Sequence, residues 1–175
     1  YNDFVVFVKD TISGQTGKTL AHRKKQGYAE ARVLEVLEDS PNAVQAPCMH
    51  FGVCGGCKTQ TLAYKKQLNQ KAHQVEDIFR RLGRYPTFEL DAMIPAENVY
   101  HYRNKMEFTF SPNRWLLSDE PEDTPKSIAL GLHIPGRFDK ILNIKECHIQ
   151  PEIGNRILNK TQEICEAHPG LVPYN

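Results

Sequence analysis

The spacing of apolar side chains changes period several times along the chain, and each change marks an element. Phe4 to Val8, Lys18 to Lys25 and Tyr28 to Leu37 read as strands, with Ser13-Gly14 and Gln26-Gly27 as turn signals between them. Asp39 to Pro47 interrupts the pattern. Its Ser40-Pro41 and Ala46-Pro47 pairs remove backbone donors and push the preceding residues to extended geometry, which predicts a linker. The period then becomes helical from about Thr61 to Leu82, where Leu68, Ala72, Val75, Phe79 and Leu82 form one apolar stripe and Gly83 supplies a stop.

Alternation returns downstream. Lys105 to Phe110, Ile128 to His133 and Lys140 to Ile144 predict an antiparallel sheet. Leu117 to Ser127, rich in acid and proline, reads as a solvated, mobile hairpin loop. A second helix is predicted from Pro151 to about Ala167, with Ile153, Ile157 and Ile164 on its inner face and Pro169-Gly170 ending it. The expected class is α+β, in three parts: a β module over 1–40, a linker and cysteine-bearing loop over 41–60, and an α+β domain over 61–175.

A chain of 175 residues, 40% hydrophobic and 25% charged, is large enough for a core. It holds no apolar run near the ~20 residues of a membrane span, and no leader pattern stands at its start, so nothing in it points away from the cytoplasm. It opens on Tyr1 rather than Met and runs at once into a strand-like stretch, which suggests a fragment. The net charge of +1 carries no nucleic-acid signal. Locally the picture changes: Lys58 to Arg84 holds seven basic residues against two acidic ones, whereas Tyr85 to Leu130 holds four against eight. The charge is segregated along the chain, and the basic helix face reads equally as a partner's surface or as a solvated one.

Three of the five cysteines fall within ten residues, Cys48, Cys54 and Cys57, in a C-x5-C-x2-C pattern, and Cys147 lies far downstream. In a reducing compartment such a cluster argues for metal rather than disulfides. Three thiolates in one loop plus a distant fourth suit iron–sulfur ligation better than the paired knuckles of a zinc ribbon, although structural zinc stays open from spacing alone. Gly55 and Gly56 let the backbone wrap tightly and turn N–H groups toward sulfur. Cys165, beside Ile164 on the second helix, reads as a core thiol, and His50 as a packing residue rather than a ligand.

Candidate RNA contacts are the basic run Arg23, Lys24 and Lys25 between strands, Lys66 and Lys71 off the helix stripe, Arg103-Asn104-Lys105 beside Tyr102 and Phe108, where pairing of Arg103 with a nearby acid is the equal alternative, and Arg137, whose turn reads more readily as structural. Gly14 to Thr19 tempts toward a phosphate-binding loop, but the first glycine of that motif is replaced by Ile12, so a strand-connecting turn is the expectation.

Cys48, Cys54-Gly55-Gly56-Cys57, Gln60, Leu62, Tyr64, Gln67-Leu68 and Lys71 resemble the cluster segment of the RNA uracil-C5 methyltransferases, above all those acting on 23S ribosomal RNA. Tyr102-Arg103-Asn104-Lys105-Met106, Gly131-Leu132-His133 and Cys147 continue the resemblance in the same order, and residues 4–38 resemble the rear part of the family's TRAM domain, a small OB-like barrel. The resemblance implies that Cys48, Cys54, Cys57 and Cys147 hold a four-iron four-sulfur cluster with a structural and RNA-positioning role. It implies an S-adenosylmethionine-dependent parent enzyme that attacks a flipped uridine through a catalytic cysteine. The methyl-donor domain is expected outside this stretch, so no residue here is expected to be catalytic, the fragment alone is expected to be inactive, and a monomer is the default. A stand-alone zinc or iron–sulfur nucleic-acid module is the alternative, and a ferredoxin-like electron carrier a weaker third.

Overall fold

A computed structural model of the chain describes residues 4–125, 127–168 and 170–171. Its first sheet contains β1 (Val5–Lys9), β2 (Thr16–Lys25) and β3 (Tyr28–Glu38) in the order β1-β3-β2. Strands β2 and β3 form an antiparallel hairpin whose turn needs a positive φ, which Gly27 provides at 91°. Ser13-Gly14 does turn the chain, but β1 pairs with β3, in parallel, rather than with β2. Three register shifts along β2 kink this pair. At one of them Gly17 passes so close to the Glu35 carbonyl that a Cβ there would sit 2.6 Å from its oxygen. The three strands are as expected, and among the described residues they make an open sheet. Only Ala29 and Ala31 of these strands are buried.

The helix α1 (Tyr64–Asp77) begins later than the expected start near Thr61, and the Gln67 side chain holds the approach, its Nε2 donating to the carbonyls of Thr59 and Leu62. It continues into a π-helical turn, Ile78–Leu82, closed by the Gly83 N–H on the Ile78 carbonyl. The stripe is only half covered: Leu68, Ala72 and Val75 are partly buried, Phe79 stacks on Phe88 at 4.2 Å, and Leu82 is exposed.

The second sheet is antiparallel, β4 (Thr109–Ser111), β5 (Ala129–Ile134) and β6 (Arg137–Asn143) in sequence order. The strand expected from Lys105 is shorter than predicted. The backbone before it pairs elsewhere, His101 N–H with the His148 carbonyl and Arg103 N–H with that of Ile149, and the chain joins the sheet only at Thr109. Leu130, Leu142, Ile144, Cys147, Ile149 and Leu158 form the core, with Val53, Cys54 and Cys57 of the cysteine loop packed on it.

Two expectations are corrected here. In α2 (Glu152–Ala167) the inner residues are Asn155 and Leu158, while Ile153, Ile157 and Ile164 are exposed. The helix is rotated so that Asn155 meets the backbone of Cys147, a buried polar requirement that outweighs the isoleucine stripe. Cys165 is correspondingly half-buried rather than in the core; Pro169, read as part of the stop, lies outside the described residues. The acidic loop is also less free than its composition suggests. Glu120 accepts from both Arg114 nitrogens, at 3.0 and 2.6 Å, and from the Leu117 N–H at 2.8 Å, which pins its first half.

Contacts divide the chain into two units, Tyr1–Gln45 with Thr59–Pro95, and Ala46–Lys58 with Ala96–Asn175. This partition cuts across the three consecutive parts read from the sequence, because α1 groups with the first sheet and the cysteine loop with the second. No helix among the described residues is long and apolar enough to cross a membrane.

Candidate metal centre

The cysteine loop is built by tight turns. Phe51 N–H bonds to the Cys48 carbonyl, and both Val53 and Cys54 N–H to that of His50. Gly52, at φ 87°, supplies a left-handed step that a side chain would strain. Gly55 then passes against β5, its N–H on the His133 carbonyl at 3.2 Å; a Cβ on Gly55 would sit 2.8 Å from that oxygen. Gly56 N–H donates to Cys54 Sγ at 3.3 Å. The glycine pair therefore does what the sequence suggests: one glycine admits the close approach and the other turns a donor to sulfur.

Two groups that the sequence reading left without such roles fix the loop and the fourth cysteine. His50, read as packing, is buried, and its Nε2 accepts the Lys145 N–H at 3.1 Å, tying the loop to the segment just before Cys147. Burial, then the neighbouring Lys145, holds this imidazole below its ordinary pKa, in keeping with a neutral ring that accepts. Asn155, only 2% exposed, brackets Cys147: Oδ1 accepts the Cys147 N–H at 2.8 Å and the Gln150 Nε2 at 2.6 Å, and Nδ2 donates to the Cys147 carbonyl at 3.4 Å. A C-x-x-C spacing is visible in any sequence, whereas an asparagine on a helix becomes a clamp only through its tertiary partner.

All four cysteines lie in the second unit. Burial raises the Cys48 thiol, with smaller contributions in the same direction from Cys147 and Cys57. Cys54 is raised by burial and then by Cys57, Cys147 and Cys48, against the Gly56 N–H, which lowers it. Tyr100 is raised by burial and by Cys57 and Cys48. Cys48 and Cys54 are thus partly desolvated thiols with other thiols as electrostatic neighbours. Ionisation of these two is disfavoured unless a cation replaces their protons. Among the described residues, no three His, Cys, Asp or Glu side chains are arranged as the cage of one metal ion.

The basic candidates fall into both units. Arg23, Lys24 and Lys25 are exposed on β2; Arg23 pairs with Glu30 at 3.5 Å, and the ammonium groups of Lys24 and Lys25 stand over the rings of Phe4 and Tyr28. Lys66 and Lys71 on α1 make no ion pair among the described residues. Arg103, Asn104 and Lys105 are exposed in the second unit, Arg103 donating to the Lys105 carbonyl and Lys105 pairing with Glu107 at 2.7 Å. Arg137 is exposed and pairs with Asp139. The Gly14 turn is locked by Ser40, which donates to the Ser13 carbonyl.

No protein-family model matches the chain. It is 42% identical over 170 residues to a protein of Bacteroides thetaiotaomicron named as an uncharacterized RNA methyltransferase, covering 95% of this chain and 37% of that protein. Similarly named proteins of Porphyromonas gingivalis and Chlorobaculum tepidum are 36% and 38% identical over 99% and 94% of the chain, which spans 38% and 34% of them. Among solved structures, the Pyrococcus abyssi tRNA (uracil-54, C5)-methyltransferase, in complex with S-adenosyl-L-homocysteine, matches with a TM-score of 0.56 at 20% identity, covering 94% of this chain and 33% of that one. That likeness is one of fold. The chain is therefore a homologue of the RNA methyltransferases, matching a stretch of little more than a third of their length.

Proposed function

We propose that this chain is the RNA-recognition and cluster-bearing part of an S-adenosylmethionine-dependent RNA uracil-C5 methyltransferase that acts on ribosomal RNA. The observation that carries the reading is the gathering of Cys48, Cys54, Cys57 and Cys147 in one unit of a chain homologous to RNA methyltransferases over 95% of its length. The methyl donor belongs, in this reading, to the part of the relatives' length that this chain does not span, so the stretch by itself is inactive and no residue in it is catalytic.

The four thiols suit a four-iron four-sulfur cluster. Three of them share one tight loop and the fourth, Cys147, belongs to the core on which Cys54 and Cys57 pack, a donor set of four thiolates of the kind that ligates iron–sulfur clusters. The cluster, when bound, supplies a rigid cross-link between loop and core. Gly56 N–H donates to Cys54 Sγ, His50 ties the loop, and Asn155 fixes the peptide of Cys147, so these residues would hold the ligands in place. Arg23, Lys24, Lys25, Lys66, Lys71, Arg103, Asn104, Lys105 and Arg137 are the RNA contacts, and the exposure of all of them but the half-buried Lys66 supports that role. Strands β1 to β3 belong to an OB-like TRAM barrel, a reading supported by their bulged, kinked pairing and by the apolar side chains they leave uncovered.

The test is anaerobic purification of the chain with iron, acid-labile sulfide and zinc assayed on wild type and Cys147→Ser. About four irons and four sulfides per chain, lost in the variant, are expected. Stoichiometric zinc without sulfide would overturn the cluster.

A further inference from the structure

A cleft of about 830 Å³ opens beside the second sheet, lined by β4, the loop after it and the start of β6. The loop crosses to the far edge of the sheet, where Arg114 bridges Ile141 and the Trp115 N–H donates to the Ile141 carbonyl at 2.7 Å. Phe110 and Phe138 line the cleft from strands separated by β5. Phe138 is 88% exposed, two residues after Gly136, whose φ of 74° makes the tight turn from β5 into β6. An aromatic ring held so far into water contributes nothing to the core, and it stands next to a fixed charge array: Asp139 accepts from Arg137 Nε at 3.2 Å and pairs with Lys140 at 3.2 Å.

Two hydrogen-bonding groups in the cleft are uncommitted, while Thr109, Ser111, Arg114, Asp139 and Lys140 are paired. The Asn113 carboxamide and the Trp115 indole N–H have no partner among the described residues, and neither is buried. A ring face, a carboxamide that both donates and accepts, an indole donor and a nearby ammonium match a base with its phosphate. An apolar peptide side chain would leave the carboxamide and the indole donor unmatched.

We propose that this cleft holds one unpaired nucleobase of an RNA strand, stacked on Phe138, with Asn113 and Trp115 at its hydrogen-bonding edge and Lys140 toward the adjoining phosphate. The proposal rests on the reading of RNA as the partner, and it assigns a position within that partner's path.

Trp115, the chain's single tryptophan, lines the cleft and packs on the core, so its emission responds to occupancy of the cleft and Phe138→Ala separates that response from a change elsewhere. The experiment titrates the chain with a single-stranded RNA of roughly eight nucleotides, following the anisotropy of end-labelled RNA for binding and, with unlabelled RNA, Trp115 emission for the cleft. Single strands are expected to bind and to quench Trp115, a duplex of the same sequence to leave it unchanged, and Phe138→Ala to weaken single-strand binding by about tenfold while Phe138→Tyr retains it. Because the ring is exposed, neither variant disturbs the fold. Binding seen by anisotropy with Trp115 emission and the Phe138→Ala affinity both unchanged would overturn the cleft and leave RNA recognition standing. No binding of any RNA would overturn both. Quenching by an apolar peptide but not by RNA would replace the base with a protein ligand.

Discussion

The two sheets have three strands each and opposite fates for their side chains. The first has the longer strands, 10 and 11 residues in β2 and β3. Yet Val5, Phe7, Leu20, Leu34 and Val36 stay exposed, and only two alanines are buried. The second, with strands of 3, 6 and 7 residues, buries Leu130, Ile141 and Leu142. Backbone pairing makes either sheet; what makes a core is cover, supplied in the second unit by the cysteine loop and by Leu158 of α2. The four cysteines of the proposed centre fall in that covered unit.

The contrast is broken most forcefully by paired truncations. Leu142→Ala, at a residue 3% exposed, is expected to destabilise its unit by about 2–5 kcal/mol. Leu34→Ala, at 58% exposed, is expected to change stability by no more than about 0.5 kcal/mol. Thermal unfolding of both variants checks this, and equal losses would mean that the first sheet has a core of its own.

A smaller effect is expected from Asn155→Ala, which strands the N–H and carbonyl of Cys147 and the Gln150 amide in a buried place, at a cost of about 1–3 kcal/mol. Iron content should fall with it, while hydrogen exchange in β1 to β3 stays as in wild type. Full retention of iron would show that Cys147 needs no clamp.

The smallest effect concerns pH. Two Arg114 hydrogen bonds and the Leu117 N–H hold the Glu120 carboxyl at about 2 instead of its ordinary 4.5. A depressed carboxyl stabilises fully above about 4.5, and the stabilisation fades as pH falls from there through about 2. Acid should therefore loosen the Arg114–Glu120 loop before the core, seen as a change in Trp115 emission over that window. Asp139, also held at about 2 by Arg137 and Lys140, titrates nearby, so Glu120→Gln is the control that must remove the change.

Periodicity carried most of this architecture in advance. Both helices and most strands stand close to where the alternation and the stripe placed them, β4 being the exception, and the four cysteines singled out fall in one unit. What stayed hidden depends on distant partners. His50 acts through a backbone N–H 95 positions away, and no local pattern encodes that. The isoleucines of α2 misled for the same reason, since the rotation of the helix answers to the peptide of Cys147. The seemingly free acidic loop is likewise pinned by one arginine that its composition does not reveal.

The His50–Lys145 hydrogen bond also bears on the order of assembly. Closing a loop of 95 residues costs chain entropy of about 4 kcal/mol on a logarithmic scale. If the protein's own contacts, this bond and that of Gly55 to the His133 carbonyl among them, meet that cost, the metal does not have to. Inorganic iron and sulfide would then enter a finished mould rather than draw together the ends of an open chain, the reverse of small zinc domains whose fold waits for the ion.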